Sequence, residues 1–232
     1  MAINVDTVYQ RVLAILNKEQ RGFLTPQKFN LYANQAQLDT LEQYFYDLDL
    51  QLAMPGNSTT HADSIDILES KIAKFETDGV VTFNSPNFIL PGDCYRLSTL
   101  LLNGVEATSA TRKEIRYILQ SPIAHPSNSM PVYTQNSAGV KIYGAAPLTG
   151  DDVSDIEVEY IKVPADVVWG YTSVLGTPQY NASTSTNFEL DPSEETDLVL
   201  QILRLAGLEV KDLSVYETAS RETAIEVQQE VR

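Results

Sequence analysis

NFELDPSEETDLVLQILRLAGLEVKD, Asn187 to Asp212, reads as a complete helix start, an amphipathic body and a stop. Asp191 takes the N-cap position, where a carboxylate accepts one of the free backbone N–H groups. Pro192 follows at the first helical position, where a missing N–H costs nothing. Glu194 lies three residues after the cap, the spacing of a capping box. Glu195 and Asp197 add negative charge near the positive end of the helix dipole. Leu198, Val199, Ile202, Leu203, Leu205 and Ala206 then make an apolar face wider than one stripe, and Gly207 reads as the stop. The cap alone contributes ~1 kcal/mol. A last helix is expected from about Asp212, with Leu213, Tyr216, Ser220, Thr223, Val227 and Val231 repeating at three and four. That face is small and half-polar, which suits docking on a partner better than filling a core.

Working back along the chain, the N-terminal end is also helical in pattern. Val5, Val8, Val12 and Ile15 fall at helical spacing, widened by Tyr9 and Leu16. Thr25 caps a second helix with Pro26 at its first position. Its body carries Phe29, Tyr32, Ala33, Ala36, Leu41 and Phe45 toward one side, and MPGNSTT ends it. A third helix, SIDILESKIAKF, places Ile65, Leu68, Ile72 and Phe75 together.

From about residue 78 the period changes. GVVTF and DCYRLSTLLLNG are rich in strand formers and bounded by Gly, Pro and Asn. LPGD, Leu90 to Asp93, reads as a tight turn. MPVYTQNSAGVKIYG reads as a hairpin whose loop is Asn136 to Gly139. DIEVEYIKVP alternates as a strand covered on both sides. GTPQYNASTSTN reads as a polar loop leading back to helix. The expected class is therefore α+β: a helical bundle made from both chain ends around a central antiparallel β-rich subdomain. The expected divisions are 1–76 helical, 77–186 β-rich, and 187–232 helices that complete the bundle and dock on a partner.

Composition narrows the function. The chain has 232 residues, 43% hydrophobic and 20% charged, which describes a globular protein. No apolar run approaches the ~18–20 residues that cross a bilayer, and the N-terminus lacks the basic region and cleavage site of a signal peptide. A lone cysteine, Cys94, excludes an internal disulfide. A formal charge of −15 opposes a generic grip on phosphates, since such binding needs clustered Lys and Arg. The same negative field lets DNA slide past without sticking, although solubility is the plainer reading.

Catalytic chemistry finds little support in the sequence. His61 and His125 sit in STTHAD and in the Pro-rich SPIAHPSNSMP, with no Gly-x-Ser-x-Gly elbow to partner them. Cys94 stands in a strand, where a packed thiol is the favoured reading. GDDVSD, Gly150 to Asp155, holds three carboxylates but lacks the alternating pattern of a calcium loop. No Gly-rich phosphate loop is present. The one basic concentration is TRKEIRYIL, with Arg112, Lys113 and Arg116, best read as a solvated face. Catalytic, cofactor and metal residues are accordingly expected to be none.

VYQRVLAILNKEQRGFLTPQKFNLYANQAQLDTLEQYF resembles the N-terminal region of virion proteins from crAss-like and related short-tailed bacteriophages. STNFELDPSEETDLVLQILRLAGLEVKD is similar to their C-terminal region, and LPGDCYRL and MPVYTQNSAGVKIYG fit the order of motifs between. The resemblance implies a head-to-tail adaptor: a neck ring protein that binds beneath the portal and helps form the DNA channel. It further implies a dodecameric homo-oligomer that meets other neck or tail ring proteins and lets DNA pass without sequence-specific binding. Its expected place is the virion neck, with assembly in the host cytoplasm and no membrane. Two other classes stay open. A glycan-binding or capsid-decorating module would use exposed aromatics such as Trp169, Tyr171 and Tyr180. A polysaccharide-degrading enzyme would need paired carboxylates in a cleft.

Overall fold

The computed structural model describes residues 2–17, 24–53, 59–145 and 148–210. The chain is α+β, with five α-helices and eleven strands among the described residues. In order these are α1 (Val5–Asn17), α2 (Pro26–Ala53) and α3 (Thr59–Ile72), then β1 (Glu76–Val80), β2 (Thr82–Asn84), β3 (Asn87–Ile89), β4 (Cys94–Leu102), β5 (Val105–Glu106) and β6 (Thr108–Ser109). They continue with α4 (Glu114–Gln120), β7 (Val132–Asn136), β8 (Gly139–Tyr143), β9 (Ile156–Lys162), β10 (Tyr171–Val174), β11 (Thr177–Tyr180) and α5 (Glu195–Val210). The chain divides into two compact units: one runs to Lys74 and resumes at Pro164, the other is Phe75–Val163. Residues 164–186, which the sequence pattern joins to the strands, group with the helices.

In the first unit, Val5, Val8, Val12 and Leu16 form the buried stripe of α1, while Ile15 is turned outward at 45% exposure. Asn4 caps this helix, accepting from Asp6 N at 2.8 Å. Asn187, from the quoted stretch, accepts from Val5 N at 3.1 Å, so residues 182 positions apart share one helix start. Thr25 caps α2 as expected, its hydroxyl accepting from Lys28 N at 3.4 Å while its carbonyl accepts the first helical bond, from Phe29 N at 2.9 Å. Phe29, Ala33, Ala36, Gln37, Thr40, Leu41 and Tyr44 form the buried side of α2.

Amides do much of the joining on that side. Asn34 accepts from Val167 N at 2.6 Å and donates to Val167 O at 3.2 Å. Asn30 accepts from Trp169 N at 2.8 Å, and Gln37 donates to Ala165 O at 3.0 Å. Gln37 also accepts from Glu189 N at 3.1 Å. Positions 30, 34 and 37 follow helical spacing, so one edge of α2 satisfies the backbone of an extended segment that has no sheet partner there.

The quoted helix differs from expectation at both ends. Its first turn, Pro192–Glu194, is a 3₁₀ turn. Asp191 does cap it, accepting from Ser193 N at 3.0 Å. Glu194 does not close a capping box; its buried carboxylate pairs with Lys71 at 2.6 Å, where an opposite charge is worth more than a second cap bond. Gly207 does not stop α5, which runs on to Val210. A glycine ends a helix by turning left-handed, and Gly207 instead keeps helical backbone in a buried turn. The helix expected from Asp212, with Leu213, Tyr216, Ser220, Thr223, Val227 and Val231, lies outside the described residues.

The second unit holds a four-stranded sheet ordered β1-β9-β4-β5 and a five-stranded sheet ordered β2-β3-β8-β7-β6. Leu100, Leu102, Ile156 and Val158 from the first share one core with Phe88, Tyr133, Val140 and Ile142 from the second. Every pairing is antiparallel except β6 with β7. A parallel pair needs a crossover, and α4 with the Pro-rich loop after it supplies one. Gly139 has φ +121°, and a Cβ there would meet Phe88 O at 2.3 Å, so only glycine lets β8 lie against β3. Tyr160 donates to Asp93 at 2.9 Å and pins the Leu90–Asp93 turn to β9.

Candidate functional site

The segment GYTSVLGTPQY is not the plain loop its composition suggests. It forms the β10–β11 hairpin in register Tyr171 with Tyr180 through Val174 with Thr177. Two residues close it, Leu175 at φ 52° and Gly176 at φ 83°. Positive φ at both central positions is a type I′ turn, matched to the twist of paired strands and normally filled by Asn-Gly or Asp-Gly. A leucine there costs roughly 1–2 kcal/mol, because its Cβ crowds the following carbonyl. Leu175 is nonetheless fully exposed, at 101%, so no packing among the described residues offsets that cost.

The hairpin is rooted in aromatic rings. Trp169 lies 4.3 Å from Tyr9, and Tyr9 stacks edge-on to Phe29 at 4.8 Å. On the other side Trp169 meets Tyr171 at 5.9 Å and Tyr180 at 5.8 Å. Trp169 is only 2% exposed and donates to Asp6 at 2.9 Å, so it anchors the hairpin rather than presenting itself. Such rings fix the strands with little rotamer entropy left to lose. The result is a rigid finger with an apolar tip.

The other candidates fall elsewhere. Asp191 pairs with Lys74, and that hydrogen bond, followed by the one from Ser193 N, holds its carboxyl well below the usual carboxylate range. His125 is an exposed loop residue beside Pro126 O at 3.2 Å. Cys94 is half-buried at the start of β4, where burial and then Asp93 push its thiol pKa up, away from a nucleophilic thiolate. Asp152 of GDDVSD accepts from Thr149 N at 2.6 Å and from Thr149 Oγ1 at 3.0 Å, so it serves a turn. Among the described residues no group of three His, Cys, Asp or Glu is placed to hold a metal ion. Arg112, Lys113 and Arg116 are exposed where α4 begins, and Ile123, in the following loop, is 97% exposed.

Sequence reading passed over the hairpin because LG is not a turn dipeptide by composition. Only the Thr, Tyr and Val flanks of that dipeptide signalled paired strands. The amide edge of α2 was hidden for a different reason, since Asn and Gln on a helix usually face water. The chain matches no protein-family model and no curated protein sequence. No described helix is long and apolar enough to cross a membrane.

Proposed function

We propose that this chain is a structural virion protein, a head-to-tail adaptor in the neck of a short-tailed bacteriophage. It binds the portal, forms a dodecameric ring with copies of itself and contributes to the channel through which DNA leaves the head. The observation that carries the reading is the finger: a fully exposed leucine held in a strained turn on a rigid aromatic root. An apolar side chain kept in solvent at a conformational cost supports a surface that another protein completes. The charge of −15 fits a wall along which DNA slides without sequence-specific binding.

In this reading the helices of both chain ends form one bundle, which carries the β-rich unit as an insertion. The segment from Asp212 to Arg232 docks on the portal through Leu213, Tyr216, Ser220, Thr223, Val227 and Val231, and the finger meets a neighbouring copy or a neck or tail ring protein. Assembly takes place in the host cytoplasm and the product is part of the virion. The glycan-module alternative loses its best platform, because Trp169 is buried and only Tyr171 and Tyr180 are partly open.

Native mass spectrometry of the chain, alone and mixed with the portal protein encoded by the same genome, tests the reading. The expected result is a discrete complex with one copy per portal subunit, lost when residues 212–232 are deleted. A chain that never joins the portal overturns it.

A further inference from the structure

Helices α2, α3 and α5 of the first unit enclose a groove of about 640 Å³, within the range of ligand-binding clefts. Asp39, Glu42, Asp47, Glu194 and Asp197 line it, against two cations, Lys71 and Arg204. Lys71 is already committed to Glu194 at 2.6 Å. The groove is therefore acidic, and burial pushes the Asp47 carboxyl pKa up.

Tyr44 supplies the independent sign of a ligand. It lines the groove, its ring is 4% exposed, and its buried hydroxyl has no hydrogen-bond partner among the described residues. Burial, and then the nearby Glu194, push its pKa up, and Glu194 is itself committed to Lys71 at 2.6 Å. A buried hydroxyl left unpaired is destabilising, and a partner reaching it would recover that cost.

We propose that this groove is the socket for helix α4 of a second copy of the chain. The proposal rests on the ring reading above and adds the contact that builds the ring. Copies that each carry −15 repel one another, so association needs a local reversal of charge. Arg112, Lys113 and Arg116 supply it, three of the sixteen basic residues within five positions, all exposed. Glu114, the acid among them, accepts from Thr111 N at 2.8 Å and Thr111 Oγ1 at 2.9 Å, which leaves the cations to face outward. A guanidinium entering the groove donates to the Tyr44 oxygen and to the carboxylates. Socket and helix are different patches, so the contact is heterologous and closes a ring when its rotation permits.

The test is a charge swap, read by native mass spectrometry of the full chain. Glu42→Lys with Asp197→Lys reverses the socket, and Arg112→Glu with Lys113→Glu and Arg116→Glu reverses the helix. Each set alone is expected to abolish self-association, and both sets in one chain are expected to restore it. Tyr44→Phe is expected to leave folding stability unchanged or raised while weakening association about fivefold. Failure of the combined chain to associate, wild-type association by the phenylalanine variant, or a wild-type chain that stays monomeric overturns the proposal. So does a helix reversal that leaves self-association intact but abolishes retention on double-stranded DNA, which would assign α4 to nucleic acid. Portal binding, measured on the same samples, separates the two readings: a chain that binds the portal without this contact loses only the socket, and one that self-associates without binding the portal loses only the adaptor.

Discussion

Two hairpins in this protein close on the same kind of turn with opposite chemistry. Between β4 and β5 the central residues are Asn103 and Gly104, at φ 52° and 73°. Between β10 and β11 they are Leu175 and Gly176, at 52° and 83°. Asparagine tolerates the left-handed region because its short polar side chain bonds locally. Leucine has no such compensation. The first turn is filled for stability and the second against it, as the proposed contact of the finger with another protein would require.

The largest effect tests what holds the finger up. Trp169→Ala should cost about 3–5 kcal/mol in urea unfolding, as expected for a buried aromatic. A loss under 1 kcal/mol would mean that the hairpin stands without its root, and the comparison would lose its rigid side. Next comes the turn exchange. Leu175→Asn should stabilise the isolated chain by roughly 1 kcal/mol, and Asn103→Leu should destabilise it by a similar amount. Their association should part company, with Leu175→Asn weakening ring or portal binding and a destabilised but folded Asn103→Leu chain retaining it. Equal binding by both would show that the two turns differ by accident.

The smallest effect concerns the helix start that fixes the finger's own unit. The Lys74 pair depresses the folded-state pKa of Asp191, so its contribution is present above the unfolded value of about 3.9. It fades as pH falls through the folded value. Asp191→Asn keeps the cap and loses the ion pair, so it should be less stable than wild type by under ~1 kcal/mol at pH 7. The gap between the two chains should begin to close as pH falls below about 3.9 and should vanish only once pH passes the much lower folded value. A difference that persists there would assign the effect to packing.

The sequence announced some of these features and concealed others for physical reasons. Val5, Val8 and Val12 announce α1 because a buried stripe must repeat at helical spacing. β4, β7, β8 and β9 were legible through their β-branched and aromatic runs with Gly, Pro or Asn at the ends. Glu194 misled because its spacing satisfies a capping box, while the partner that claims it, Lys71, is distant in sequence. Gly207 misled because glycine permits a left-handed turn without requiring one. Neither α4 nor Tyr44 announced itself, since seven residues are too few for a period and an unpaired hydroxyl exists only in three dimensions.

The amide edge of α2 has a consequence during synthesis. Asn30, Asn34 and Gln37 leave the ribosome about 130 residues before the segment they grip. At 5–20 residues per second the delay is roughly 6–26 s. Throughout that interval the edge stays hydrated at no cost, whereas leucines in its place would offer the nascent chain a surface for aggregation. A polar seam lets the first half of the fold wait in solution for the second.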